Sequence, residues 1–339
     1  MVSLSLSTAS NAGHVRIYDF NGTAWVQRGD DIDGEAESDE SGYSVSLSSD
    51  GDIVAIGAVF NDGTASNAGH VRVYAWNGTA WVQRGADIDG EAGDDTSGFS
   101  VSVSSDGETL AVGATSNDGA GSNAGHVRVY TWSGTAWVQR GLDIDGEAAG
   151  DSFGFSVALS NDGESFVVGG PLNDDGASGA GHARVYDWTG TAWVQRASDM
   201  DGAALLERLG LSTSISGDGG IVAMGAPGFI GVTGYVKVFN SEILATQTTV
   251  TATLDAVATG NVVVTLDVSG TATGDDTDYS LSSTTITIPQ DQTTATASVT
   301  VVGDATSDDD DETVILDIDE VTGAVATGNP VTITIDEGI

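Results

Sequence analysis

Four histidines set the frame of this sequence. His14, His70, His126 and His182 recur at intervals of 56 residues, each in a GHVR or GHAR context, and Tyr235 takes the corresponding place after a slightly shorter interval. The surrounding text recurs with them. The stretch from Gly69 to Gly119, GHVRVYAWNGTAWVQRGADIDGEAGDDTSGFSVSVSSDGETLAVGATSNDG, has near copies on both sides. Self-similarity at a period of some tens of residues marks a propeller or another repeat array, because one such unit cannot bury its apolar face alone and must stack on neighbours.

Each unit reads as four strands. In the Gly69 copy, HVRVYAW alternates up to the turn Asn77-Gly78, and TAWVQRG (Thr79 to Gly85) completes a hairpin. An acidic loop, Ala86 to Gly98, follows. FSVSVSS (Phe99 to Ser105) and ETLAVGA (Glu108 to Ala114) then join at Asp106-Gly107. Glycine is dense, β-branched residues fill the alternating positions, and no helical apolar stripe appears. Four antiparallel strands per unit make a propeller blade. Three complete units begin at Tyr43, Phe99 and Phe155. The first and last copies are short of a strand each, which gives about five blades, two of them incomplete. Incomplete blades leave open strand edges that invite pairing with another chain.

The alternation also assigns faces. Phe99, Val101 and Val103 point one way and Ser100, Ser102 and Ser104 the other, so that small serines suit close stacking of neighbouring sheets. Trp76 and Trp81, with Trp132, Trp137, Trp188 and Trp193, flank the hairpin turns. Because they recur in every unit, packing between blades is the favoured reading over a sugar-stacking platform.

Charge narrows the partners. The chain of 339 residues carries 50 acidic against 10 basic side chains, a net charge of -40, and Lys237 is its only lysine. Nucleic-acid backbones and anionic membranes are disfavoured, since no basic patch can neutralise phosphate. Yet 40% of residues are apolar and fall in alternating runs, which supports a packed core. Cysteine is absent, excluding disulfides and thiolate metal sites. MVSLSLSTAS lacks the basic and apolar regions of a signal peptide, and no run approaches the ~20 apolar residues of a membrane helix.

The lines FSVSVSSDGETLAVGATSNDG (from Phe99) and FSVALSNDGESFVVGGPLNDDG (from Phe155), each followed by a Gly-x-Val-x-Val-Tyr-like strand, resemble the FG-GAP repeats of the integrin alpha-chain propeller. The GTAW hairpin and DIDGEA loop look like the variant found in large surface proteins of marine bacteria. Calcium-binding blades of that family carry a DxDxDG loop between the first two strands. Here that place holds SSDG or SNDG (Ser48 to Gly51, Ser104 to Gly107, Ser160 to Gly163), so calcium is not carried over to these turns.

After a linker at 241–248 the composition shifts to Thr and Val, and seven short strands can be marked between Val250 and Ile335, a β-sandwich pattern. The reading is therefore a propeller over 1–240 and a sandwich over 249–339. The text VVVTLDVSGTATGDDTDYSLSSTTITIPQDQTTATASVTVVGDATSDDDDETVILDI resembles a Calx-beta domain. The resemblance implies calcium ligands at one end of the sandwich: Asp278, Asp304, Asp308, Asp311, Glu312, Asp336 and Glu337. Calcium takes six to eight hard oxygen ligands, which an acidic cluster without histidine supplies.

The DIDGEA loops are a secondary cation candidate. Asp31 and Asp33, Asp87 and Asp89, and Asp143 and Asp145 alternate before a glycine, imitating half of an EF-hand without its closing glutamate. Arg28-Gly29-Asp30 spells RGD, but the other copies read differently, so drift at a strand end is the favoured reading. The histidines are read as structural, no nucleophile–base arrangement exists, and an enzyme is not expected. The sequence thus points to an all-β extracellular or cell-surface protein. Its expected role is structural or adhesive, with calcium as the cofactor and other copies of itself or other surface proteins as partners. The alternative is a carbohydrate-binding module with glycans as partners.

Overall fold

The computed structural model describes residues 9–228, 233–240, 246–254, 256–257, 259–270, 279–281, 283–301, 312–322 and 331–335. No helix occurs among them, and hence none long and apolar enough to cross a membrane. The chain divides into two compact units, Met1–Val238 and Phe239–Ile339.

In the first unit each complete copy is one antiparallel sheet in simple sequential order. The second copy runs Ser44–Leu47, Ile53–Ala58, His70–Trp76 and Trp81–Gln83. The third runs Ser97–Val103, Thr109–Ala114, His126–Trp132 and Trp137–Gln139; the fourth Ser156–Leu159, Ser165–Gly170, His182–Trp188 and Trp193–Gln195. Among the described residues the last copy has three strands, Ser212–Ile215, Ile221–Ala226 and Tyr235–Asn240. These are propeller blades. In the first copy the HVRIYDF strand is broken into His14–Val15 and Tyr18–Phe20, and VSLSLS lies outside the described residues.

Two local readings change. The hairpin at Asn77 is a four-residue loop, because Trp76 pairs with Trp81. Asn77 Oδ1 accepts the backbone N–H of both Thr79 and Ala80 at 2.9 Å, and this side-chain turn replaces two residues of ladder. The acidic stretch also contains a short fifth strand. Ile88–Asp89 folds back onto His70–Val71, and Ile144–Asp145 and Met200–Asp201 do the same in their copies.

Blades stack as the serine face requires. Ser44, Ser100 and Ser156 each donate their hydroxyl to a glycine carbonyl of the next copy, Gly98, Gly154 and Gly210, at 2.7, 2.7 and 2.9 Å. The apolar face packs between sheets: Val101, Val103, Leu110 and Val112 share a core with Ala55, Val71 and Val73 of the preceding copy. A leucine in place of such a serine would hold the sheets apart.

Among the described residues the second unit is a sandwich of seven strands. One sheet holds Thr246–Thr253, Thr294–Val301 and Tyr279–Leu281; the other holds Thr285–Ile288, Val262–Gly270, Glu312–Thr322 and Val331–Ile335. Val264, Leu266 and Ile286 of the second sheet pack against Ala252 and Ala295 of the first.

Candidate metal centre

The DIDGEA loop is held in place by backbone. Gly90 donates its N–H to Gly69 O at 2.8 Å, and a Cβ on Gly90 would lie 2.0 Å from Ala68 O. Glycine here answers a close backbone approach, as in the preceding copy, where a Cβ on Gly34 would lie 2.0 Å from Ala12 O. Past the glycine the chain is pinned by Asp39. Its buried Oδ2 accepts Ala36 N–H at 3.0 Å and the Asn61 amide of the next copy at 3.0 Å. Asp95 with Asn117 and Asp151 with Asn173 repeat the bond.

This geometry delivers the glutamate of one loop to the histidine of the next blade. Glu35, His70 and Asp87 converge, as do Glu91, His126 and Asp143, and Glu147, His182 and Asp199, with one donor atom from each residue within 4.8 Å of the others. His70 Nδ1 is 4.0 Å from Glu35 Oε2 and 4.0 Å from Asp87 Oδ2; His126 Nδ1 is 3.9 Å from Glu91 Oε2 and 4.0 Å from Asp145 Oδ1. These separations are too long for hydrogen bonds. The histidines are buried floors, and the glutamates are open to solvent.

Burial, reinforced by Arg128, pushes His126 down to about 4, against the opposing pull of Asp143 and Asp95. Burial and Arg72 likewise lower His70, and burial lowers His182. The imidazoles are therefore neutral at pH 7, the approaches are not ion pairs, and each ring offers one nitrogen as an acceptor. Burial raises Glu91; Arg128 opposes this, while Asp143, Asp95 and Asp145 add to it.

The arginine two residues after each histidine takes two settings. Arg72 and Arg128 reach back to the carbonyls of Asp33 and Asp89 at 2.7 Å and stand 3.5 and 3.6 Å from Glu35 and Glu91. Arg184 instead binds both oxygens of Asp199, at 2.9 and 2.7 Å, and pairs with Glu147. In the third cluster a guanidinium already bridges the two carboxylates.

The secondary cation candidates are thus redistributed. Asp87 and Asp143 enter the histidine clusters, and Asp145 and Asp89 flank them. Asp31 is bound by Arg16 and Gln27, which hold its carboxyl down at about 2, and Asp33 pairs along the backbone with His14. Each loop joins two copies, since its glutamate reaches the histidine of the next. The glutamates and Asp199 were not singled out in the sequence, although their 56-residue recurrence beside each histidine text was visible.

The SSDG segments are tight turns whose aspartate is already occupied. Asp106 Oδ1 accepts the Ser104 hydroxyl at 2.6 Å and Glu108 N–H at 2.9 Å, which does not fit a calcium loop. Arg28 of the RGD tripeptide is directed into the blade interface, where it bonds Gly51 O at 2.9 Å and stacks on Trp76. Of the sandwich candidates, Asp278, Asp304, Asp308, Asp311, Asp336 and Glu337 lie outside the described residues; Glu312 begins a strand opposite Ile335.

The tryptophans of the complete copies pack between blades. Trp81 Nε1 donates to Arg28 O at 2.8 Å, and Trp137 and Trp193 repeat this with Arg84 and Arg140. Beside them run open clefts of about 290 and 230 Å³, the larger lined by Asp87, Asp89, Arg128, Tyr130, Trp137 and Gln139.

The FG-GAP repeat family matches residues 142–186. No curated protein sequence matches the chain. Among solved structures, hydrazine synthase of Kuenenia stuttgartiensis is similar at 14% identity and a TM-score of 0.39, over 58% of this chain and 45% of that one. The tricorn protease is similar at 12% identity and a TM-score of 0.36, over 68% of this chain and 20% of that one. The chain spans less than half the length of either.

Proposed function

We propose that the chain is a non-enzymatic structural or adhesive protein of the extracellular or cell-surface kind, in which an FG-GAP-type propeller is a stacking scaffold. The observation that carries this reading is the engagement of the repeated polar and aromatic side chains in joining one copy to the next. His70, Arg84, Ser100 and Trp137, with their equivalents in the other complete copies, face blade interfaces. The Calx-beta resemblance of the second unit supports calcium stabilisation through Asp308, Asp311 and their neighbours.

Assembly with further copies is supported by exposed apolar side chains in the first and last copies. Phe20 and Trp25 occupy the places of Trp76 and Trp81 but are 57% and 69% exposed, with no arginine over them among the described residues. In the last copy Val236 and Val238 are 66% and 64% exposed. Burying such side chains yields roughly 1.5–3 kcal/mol each.

Calcium and assembly are tested separately. Millimolar calcium should raise the melting temperature of the wild-type chain but not of a variant with Asp308→Ala and Asp311→Ala; an equal rise in both refutes the calcium assignment. Light scattering across a concentration series should show oligomers that Phe20→Ser with Trp25→Ser reduces. A strict monomer throughout refutes assembly.

A second reading, glycan binding, is favoured by the acidic and aromatic lining of the interblade clefts. A glycan array without signal removes it.

A further inference from the structure

We propose that Glu35, His70 and Asp87, and likewise Glu91, His126 and Asp143, are sites for a divalent transition-metal cation of the zinc class, each fastening the acidic loop of one copy to the blade that follows. The proposal does not rest on the calcium reading of the second unit, whose residues are separate.

Four observations carry it. The three donor atoms of each cluster lie within 4.8 Å of one another, so some point lies within about 2.8 Å of all three. Side-chain adjustments of at most about 0.6–0.8 Å bring that to the ~2.0–2.2 Å of zinc–nitrogen and zinc–oxygen bonds. In the second cluster His126 Nδ1 is buried without a hydrogen-bond partner and faces the Glu91 carboxylate at 3.9 Å; in the first, His70 Nδ1 stands 4.0 Å from both Glu35 and Asp87, and its unpartnered nitrogen is Nε2. A buried imidazole nitrogen left unpaired is costly, and a cation is the partner that would satisfy it together with two carboxylates. Asp145 Oδ1, at 4.0 Å from the same nitrogen, is placed to be a fourth donor. The carboxylates at the mouth are solvent-exposed, which gives a cation its path in.

The nitrogen donor decides the class of metal. Calcium is bound by oxygen ligands, six to eight of them, whereas one histidine with two carboxylates and room for water suits zinc or a neighbouring transition metal. The third cluster supplies an internal contrast. There His182 Nδ1 is also buried without a hydrogen-bond partner, but Arg184 already bridges Glu147 and Asp199, so a metal would have to displace a guanidinium from both carboxylates. Two metal ions per chain are therefore expected.

The test is isothermal titration of the chelator-stripped full chain with zinc chloride and, in parallel, calcium chloride. Zinc should bind at two sites that calcium does not fill at comparable concentration. Glu35→Gln with Glu91→Gln alters only exposed carboxylates, retains the fold, and should weaken zinc binding at least tenfold. His70→Gln with His126→Gln should abolish it and remove the nitrogen-ligand signature from the absorption spectrum of cobalt bound in place of zinc. His182→Gln should leave the stoichiometry at two. Absence of zinc binding, unchanged binding in the glutamate variant, or equal occupancy of these sites by calcium overturns the proposal. Loss of one zinc in His182→Gln overturns the role given to Arg184.

Discussion

Arg84 lays its guanidinium 4.6 Å from the centre of the Trp132 ring, one copy further along the chain. The same arginine bonds Gly107 O at 2.6 Å and Glu108 at 2.5 Å, and its own carbonyl accepts Trp137 Nε1 at 2.9 Å. Arg28 and Arg140 do likewise, with 4.9 and 4.6 Å to Trp76 and Trp188. One half-buried cation thus holds three partners on the adjoining turn and the next blade. Arg84→Ala should lower stability by roughly 2–4 kcal/mol, from the lost cation–π contact and charge-assisted hydrogen bonds. Arg84→Lys, which keeps charge but not the planar fork, should recover less than half of that loss. Chemical denaturation measures both.

Close stacking makes a glycine indispensable at the centre of the array. A Cβ on Gly113 would lie 2.1 Å from Gly154 O and 2.5 Å from Ser100 Oγ, and the first of these is backbone. Gly113→Ala should cost more than about 3 kcal/mol or prevent soluble expression, because two sheets must separate to admit one methyl group. Ser100→Ala at the same contact should cost only about 1 kcal/mol. Thermal melts of the two variants should differ accordingly.

Acid should destabilise the metal-free protein through its histidines. His126 is held at about 4 in the fold, below its ordinary 6.5. The unfolded chain therefore binds the proton first, so stability is full above about pH 6.5 and falls as pH drops toward 4. The loss from this residue is on the order of 3 kcal/mol, and His70 and His182 act in the same direction. Denaturant midpoints in the presence of chelator should fall across that window, less steeply for His126→Gln.

Ionic strength should matter independently of metal. With a net charge of -40, the fold repels itself when screening is weak. The screening length falls from about 30 Å at 10 mM salt to about 8 Å at 150 mM, so sodium chloride over that range should raise the melting temperature in chelator. An unchanged melting temperature would show that the charges are locally compensated.

Much of the fold is legible from residues close in sequence. The alternation in FSVSVSS marked a strand with a serine face, and Ser100 does meet the next sheet. Asp106-Gly107 marked a hairpin, and the Asp106 side chain closes it. The short strand Ile88–Asp89 was missed inside the acidic loop because two residues carry no periodicity; only pairing with His70–Val71 makes them a strand. The sequence reads the histidines as structural because they recur with the same strand text. His70 has no ligand-spaced neighbour on its own strand.

The sequence alone determines the repeat, the four-strand unit, the turns and the seven strands of the second unit, since all follow from alternation and turn chemistry within a few residues. The stacking of one copy on the next decides the candidate metal centre. It brings Glu35 to His70 across a blade interface and folds Asp87 back onto the same ring. It also sets Arg72 toward Asp33 but Arg184 across Asp199, although the two arginines stand in near-identical text. Such choices depend on which carboxylate lies nearest in space, and a local pattern does not encode that distance.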